Sequence, residues 1–377
     1  MKRTFAVLAC VSALVLTACT SDSQLPTPTG KGGVRAINAI PGSPFVEFRI
    51  EERSLSGLTY KSSSTPVLYD NFAYNFNFDI DEPGADEQRR IATVPLQVEA
   101  DREHVFALTG TIDDPTVLTW TTDLRDWGGT ETVFEIRVAH LSVTLEEIDV
   151  FFQDPADPIT AGGHVARLAY GEIMDFADFE ADGTYKITIT AANDVNAVHF
   201  ESDTLELSAQ SSTTMSLFDG NENDTGPFVL GTMSASGRAL RIADPAYLPT
   251  LRLVHGASNL QAVDVYRDEL LTDVVTTNVV PGVPTADIEV PAEDTTLYFT
   301  PAGSVATTLF SEVIGSPPSG VPSELFVIGE SENTWRGVNL AIDRSSSSTI
   351  AKFTLFNGAY NNQLLEIFVV ARDEAIG

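Results

Sequence analysis

Four short segments of this chain align without a gap, and they restrict its fold more than any other feature. They are Val34-Arg35-Ala36-Ile37-Asn38, Ile136-Arg137-Val138-Ala139-His140, Leu251-Arg252-Leu253-Val254-His255 and Phe353-Thr354-Leu355-Phe356-Asn357. At one fixed distance after the Arg, or after Thr354 in the last copy, an acid stands between two apolar residues: Glu47, Asp149, Asp264 and Glu366. The copies recur at about 100 residues, the size of one immunoglobulin-like sandwich.

The local pattern is β. Strict alternation sets Ile136, Val138 and His140 on one face of a strand and Arg137 and Ala139 on the other. Further alternating runs, such as Tyr185 to Thr190 and Glu324 to Ile328, are separated by Gly, Pro, Asp and Asn. Convincing amphipathic helices are absent. The expected fold class is therefore all-β, a tandem array of immunoglobulin-like sandwiches over residues 34–129, 131–247 and 249–347. A fourth copy starts at Thr349 and holds two strands' worth of sequence before Gly377. Two strands alone are marginal in water, so the reading is a truncated repeat, with docking of the hairpin on its neighbour as the alternative.

The first residues read as an address. Lys2 and Arg3 precede the apolar run Phe5 to Leu16, which is too short for the ~20 residues of a membrane helix. Leu16-Thr17-Ala18-Cys19 then forms a lipobox, so residues 1–18 are expected to be a lipoprotein signal peptide and Cys19 the lipidated residue. Thr20, where an Asp would signal inner-membrane retention, favours the outer membrane of a Gram-negative cell. Residues 19–33, rich in Ser, Thr, Pro and Gly, read as a flexible tether. Of two cysteines, Cys10 leaves with the signal and Cys19 is acylated, so no disulfide is expected. The membrane partner is thus the N-terminal lipid. The formal charge is −31, and loss of Lys2 and Arg3 makes it more negative still. Such a surface repels nucleic acid and anionic headgroups.

On these motifs the chain resembles the bacterial domain-of-unknown-function 4397 family (DUF4397), whose repeats open with an R-hydrophobic-x-H stretch, continue through a proline-containing loop and reach V-D-V-Y. The third copy matches best, with Arg252 to His255 and then Val263-Asp264-Val265-Tyr266. Leu168-Ala169-Tyr170-Gly171 and Gly183-Thr184-Tyr185 in the second copy are also of the family's type. The prolines of the loop survive only in the first copy, as Pro41 and Pro44, and Asn38 and Asn357 replace the His in the outer copies. The resemblance implies an exported, repeated β-domain of unknown molecular function, and it brings no catalytic residues.

Candidate sites follow from the repeats and the loops. His140 and His255 have the chemistry of metal ligands or bases. Their exchange with Asn38 and Asn357, which cannot titrate, points instead to side chains that tie down the next loop by hydrogen bonds. The pairs Arg35/Glu47, Arg137/Asp149 and Arg252/Asp264 share strand parity and are expected to meet as solvated ion pairs worth roughly 0–1 kcal/mol. The loop Asp219-Gly220-Asn221-Glu222-Asn223-Asp224 offers oxygens from Asp219, Asn221, Asn223 and Asp224, which suit calcium, although the glycine and distal glutamate of a full EF-hand pattern are missing. Acidic hairpin loops are expected at the same place in the other copies, at Asp113-Asp114 and at Glu330 and Glu332. Trp127, before Gly128-Gly129, is placed at a domain junction.

No G-x-S-x-G elbow, H-E-x-x-H, P-loop or G-x-G-x-x-G motif occurs. The favoured reading is a non-catalytic, membrane-anchored interaction or structural module of the cell envelope, with an unknown protein or glycan partner and no required cofactor. The alternatives are a calcium-dependent or glycan-binding adhesin and, behind it, a carboxylate-based hydrolase.

Overall fold

The computed structural model describes residues 27–234, 239–347 and 351–358. The signal segment, Cys19 and Glu366 lie outside the described residues.

Among the described residues every regular element is a strand, and the strands fall into three two-sheet sandwiches. The first holds β1 (Lys31–Asn38), β2 (Val46–Ile50), β3 (Arg53–Leu58), β4 (Val67–Asp70), β5 (Ala73–Ile80), β6 (Arg89–Gln97), β7 (Arg102–Gly110) and β8 (Pro115–Asp123). The second holds β9 (Val133–His140), β10 (Glu147–Gln153), β11 (Ala166–Ala169), β12 (Ala177–Glu180), β13 (Lys186–Ala191), β14 (Asp194–Glu201), β15 (Ser212–Asp219), β16 (Phe228–Ser234) and β17 (Ala239–Ala243). The third holds β18 (Thr250–His255), β19 (Val263–Tyr266), β20 (Val274–Val279), β21 (Ile288–Glu289), β22 (Thr295–Pro301), β23 (Phe310–Ile314), β24 (Pro322–Ile328) and β25 (Arg336–Leu340).

One topology serves all three. The sheet orders are β4-β1-β7-β8 against β3-β2-β5-β6, β12-β9-β15-β16-β17 against β11-β10-β13-β14, and β21-β18-β24-β25 against β20-β19-β22-β23. In each sandwich the opening strand runs parallel to a late one, β1 with β7, β9 with β15 and β18 with β24; the other ladders are antiparallel. Each sandwich has its own core, built by the inward rows of both sheets around Phe48, Phe76 and Phe106, around Phe134, Phe152 and Phe200, and around Leu253, Leu297 and Phe299.

The last residues read as tether are part of the fold. Lys31, Gly32 and Gly33 belong to β1, pairing with Asp70, Tyr69 and Leu68. A side chain at Gly32 would run into the Glu99 carbonyl, so this glycine serves a close backbone approach rather than looseness.

A fourth cluster lies between the first two sandwiches. Ile37, Ala39, Val105 and Ala107 from one outer sheet face meet Ala139, Leu141, Phe218, Val229 and Met233 from the other. Strands β1 and β9 are therefore buried on both faces, whereas β18 alternates buried with half-buried residues. In the fourth copy residues 351–358 carry no assigned strand, and the Phe356 ring rests 4.4 Å from that of Phe326 on β24.

Candidate functional site

The repeated arginines lie at this joint. Arg35 on β1 and Arg137 on β9 are 2% and 3% exposed, and both point outward from their own cores. Glu103 on β7 lies between them, 2.8 Å from Arg35 and 3.6 Å from Arg137. Arg137 also donates to Thr214 Oγ1 at 2.9 Å and to Thr122, and lies over the Phe176 ring at 4.4 Å. Burial pushes both guanidinium pKa values down, and the Glu103 charge opposes it.

The expected Arg-to-acid pairs do not form. Strand parity was read correctly, but β1 and β2 belong to facing sheets, so the outward faces of the two point away from each other with the core between. Glu47 reaches Arg49 at 3.5 Å. Asp149 takes a two-pronged contact from Arg167, at 2.7 and 2.9 Å, and accepts from the Asn193 amide. Asp264 accepts from the Asn278 and Gly303 amides, both at 2.7 Å. Asn193 and Asn278 have φ values of 64° and 55°. The conformational cost of those turns is offset by a buried carboxylate that holds their N–H groups. Arg252 pairs instead with Asp287 and Glu324.

Asn38, His140 and His255 are fully buried at the ends of their strands. Asn38 Oδ1 accepts from the Ile40 amide at 3.1 Å and its Nδ2 donates to Ser43 Oγ at 2.8 Å. The His255 Nε2 lies 3.0 Å from the Gln261 carbonyl. His140 faces the matching loop at Leu145 and Glu146; burial lowers its pKa and that backbone pulls the other way. Asn38 and His255 thus hold the loop leading into the second strand by hydrogen bonds, and His140 packs at the matching place.

The loop between β15 and β16 is where the three sandwiches converge. Asp219 accepts from Ser142 Oγ at 2.5 Å, from the Val143 amide at 2.8 Å and from Thr144, while its carbonyl accepts from Tyr60 Oη of the first sandwich at 2.9 Å. Asp224, with its side chain 2% exposed, binds Lys61 of the first sandwich and lies 2.8 Å from Arg241 Nη2 of the second. Arg241 in turn donates to the Ser319 and Gly320 carbonyls of the third. Asn221 Oδ1 accepts from Lys61 Nζ at 2.9 Å. Asn223 donates to Asp343 and accepts from the Arg344 amide, both at 2.7 Å. Glu222 accepts from Ser346 Oγ at 2.9 Å.

The electrostatics match this crowding. Burial, then the Asp219 and Asp224 charges, push the Tyr60 phenol up. Burial pulls Lys61 down against the pull of Asp224. Burial pushes Asp343 up, but hydrogen bonds from Asn223, Ser345 and Lys352 together hold it well below the usual carboxylate range.

The oxygens proposed for calcium therefore have protein donors: Lys61 and Arg241 at Asp224, hydroxyls and an amide at Asp219. Among the described residues no group of three or more His, Cys, Asp or Glu is placed to hold a metal ion. The counterpart loops of the other sandwiches are the β7–β8 turn at Asp113-Asp114 and the β24–β25 loop at Glu330 and Glu332. At the first junction Arg125 lies over the Trp127 ring at 4.0 Å and pairs across it with Glu135 at 3.0 Å and Asp178 at 2.6 Å. Sequence reading missed Glu103, Tyr60, Lys61 and Arg241. Their motif-free loops and strands carry no local signal; they matter through what the docking brings beside them.

Residues 32–151 match the family model DUF4397, a domain of unknown function. No curated protein matches. One solved structure that the chain is similar to is a family 26 carbohydrate-binding module from Eubacterium rectale Amy13K in complex with maltoheptaose. It is 10% identical, the match covers 55% of this chain and 97% of that one, and the TM-score is 0.18, too low to bear on fold or ligand here.

Proposed function

We propose that this DUF4397 protein is a non-catalytic scaffold of the cell envelope, anchored by lipid on Cys19, whose three sandwiches act as one body presenting surface to a protein partner. The loop from Asp219 to Asp224 carries this reading. Its side chains and backbone make contacts with all three sandwiches, through Lys61 and Tyr60, Ser142 and Arg241, and Asn223 with Asp343 and Arg344. Loops that recognise ligands are normally left open at one end of a sandwich; this one is spent on holding neighbours. The formal charge of −31 favours a basic partner surface and disfavours nucleic acid and anionic lipid.

Calorimetry of the mature chain tests the scaffold. The three sandwiches are expected to melt in one cooperative transition, and Asp224→Ala, which leaves Lys61 and Arg241 without their shared carboxylate, is expected to split it. Separate transitions already present in the unaltered chain would overturn the reading.

A further inference from the structure

The first two sandwiches dock through the outer faces of the sheets that carry β1 and β9, and the third has the same face. There Arg252, Val254, Glu324 and Phe326 are half-buried, while the counterparts Arg35, Ile37 and Ala107 in the first sandwich are buried. The charge arrangement recurs as well. Glu324 on β24 stands between Arg252 at 3.7 Å and Arg344 at 3.5 Å, much as Glu103 on β7 stands between Arg35 and Arg137, although Glu324 lies directly opposite Arg252 on the ladder and Glu103 lies two positions before the partner of Arg35. A sheet face that half-buries a carboxylate between two guanidinium groups beside apolar residues has the composition of a docking surface, not of a solvated one.

The start of the fourth copy lies on this face. In the register of the repeats Phe356 is the counterpart of Ile37 and Ala139, both of which are buried in the first joint. Its contact, Phe326, faces Val254 across the parallel ladder, as Ala107 faces Ile37. Thr354 replaces the arginine that Arg137 provides to the first joint, and Arg344 supplies the second cation instead. Just ahead of the segment, Lys352 is tied to Asp343 at 2.9 Å, so the chain itself delivers Phe353–Asn357 to the face.

We infer that the outer face of β18, β24 and β25 is a docking surface, as the matching face of the first sandwich is for the second, and that its occupant is the opening segment of the fourth copy of the same chain. Phe356 is its apolar key, and Glu324 between two arginines is its charged one.

Two double variants test this in the full mature chain carrying Cys19→Ser, which then holds no other thiol: Phe326→Cys with Phe356→Cys, and Val254→Cys with Phe356→Cys. After mild oxidation, trypsin cuts at Arg336, Arg344 and Lys352, between the paired positions, and non-reducing mass spectrometry reads the linked peptides. Phe356→Cys with Leu270→Cys, where Leu270 is 84% exposed in the β19–β20 loop and is separated from Phe356 by the same tryptic sites, sets the background. The expected result is an intramolecular link in most molecules of at least one pair and none above background in the control. Links between two chains would overturn the proposal in favour of a second copy on this face. Free thiols in both pairs would overturn it by showing that the segment is not seated there.

Discussion

Glu103 sets the terms on which two buried guanidinium groups coexist. Arg35 and Arg137 have almost no contact with water, and removing Glu103 takes away the carboxylate that the two buried guanidinium groups share. Glu103→Ala is therefore expected to cost about 3–5 kcal/mol in urea unfolding, the range for breaking a buried pair by deleting one partner. A loss below about 1 kcal/mol would mean that water enters the joint. Buried histidines govern the pH response. Burial lowers the pKa of both His104 and His140, so the folded state favours their neutral forms. Their stabilising effect is full above the unfolded value of about 6.5 and is lost as pH falls through the folded values. Stability is expected to fall between pH 7 and pH 5, before carboxylates such as Asp149 begin to titrate, and His140→Asn is expected to flatten part of that slope in melts run across the range. Asn is tolerated because Asn38 already makes the loop bonds at the matching place. The arginine positions were legible in the sequence because they recur. Their partners were not, because parity fixes the face of a strand but not which sheet the next strand joins.

At the level of elements, the loop after β15, read from the sequence as a candidate cation loop, has protein donors on its side-chain oxygens. Asp, Asn and Gly at close spacing mark both a cation loop and a loop that gathers protein donors, and local sequence cannot separate the two. What distinguishes them is Lys61 and Arg241, which come from elsewhere in the chain. Addition of millimolar calcium after EDTA is expected to leave the melting temperature unchanged; an upward shift of several degrees would restore the calcium reading for Asp219, Asn221, Asn223 and Asp224. Strands were the more legible elements. The alternating runs at Tyr185 and Glu324 became β13 and β24. The opening strands, by contrast, gave no local sign that β1 and β9 are covered on both faces and β18 less so, since all three share one motif.

On the scale of the whole molecule, the repeat period marked out sandwiches, while their docking followed from residues scattered over the outer faces. The proposed lipid anchor belongs to this scale too. Cys19→Ser is expected to move the protein from the membrane to the soluble fraction on cell fractionation, and continued sedimentation with membranes would remove the lipid from the proposal. The parallel ladders carry one more consequence. Each opening strand is held by a partner from near the end of its own sandwich, β1 by β7, β9 by β15 and β18 by β24. Contacts so distant along the chain form slowly. A chain that emerged N-terminus first could not close any sandwich until nearly all of that sandwich had emerged; on the proposed export of this protein, that would keep each repeat loose inside a channel and let it lock only beyond it.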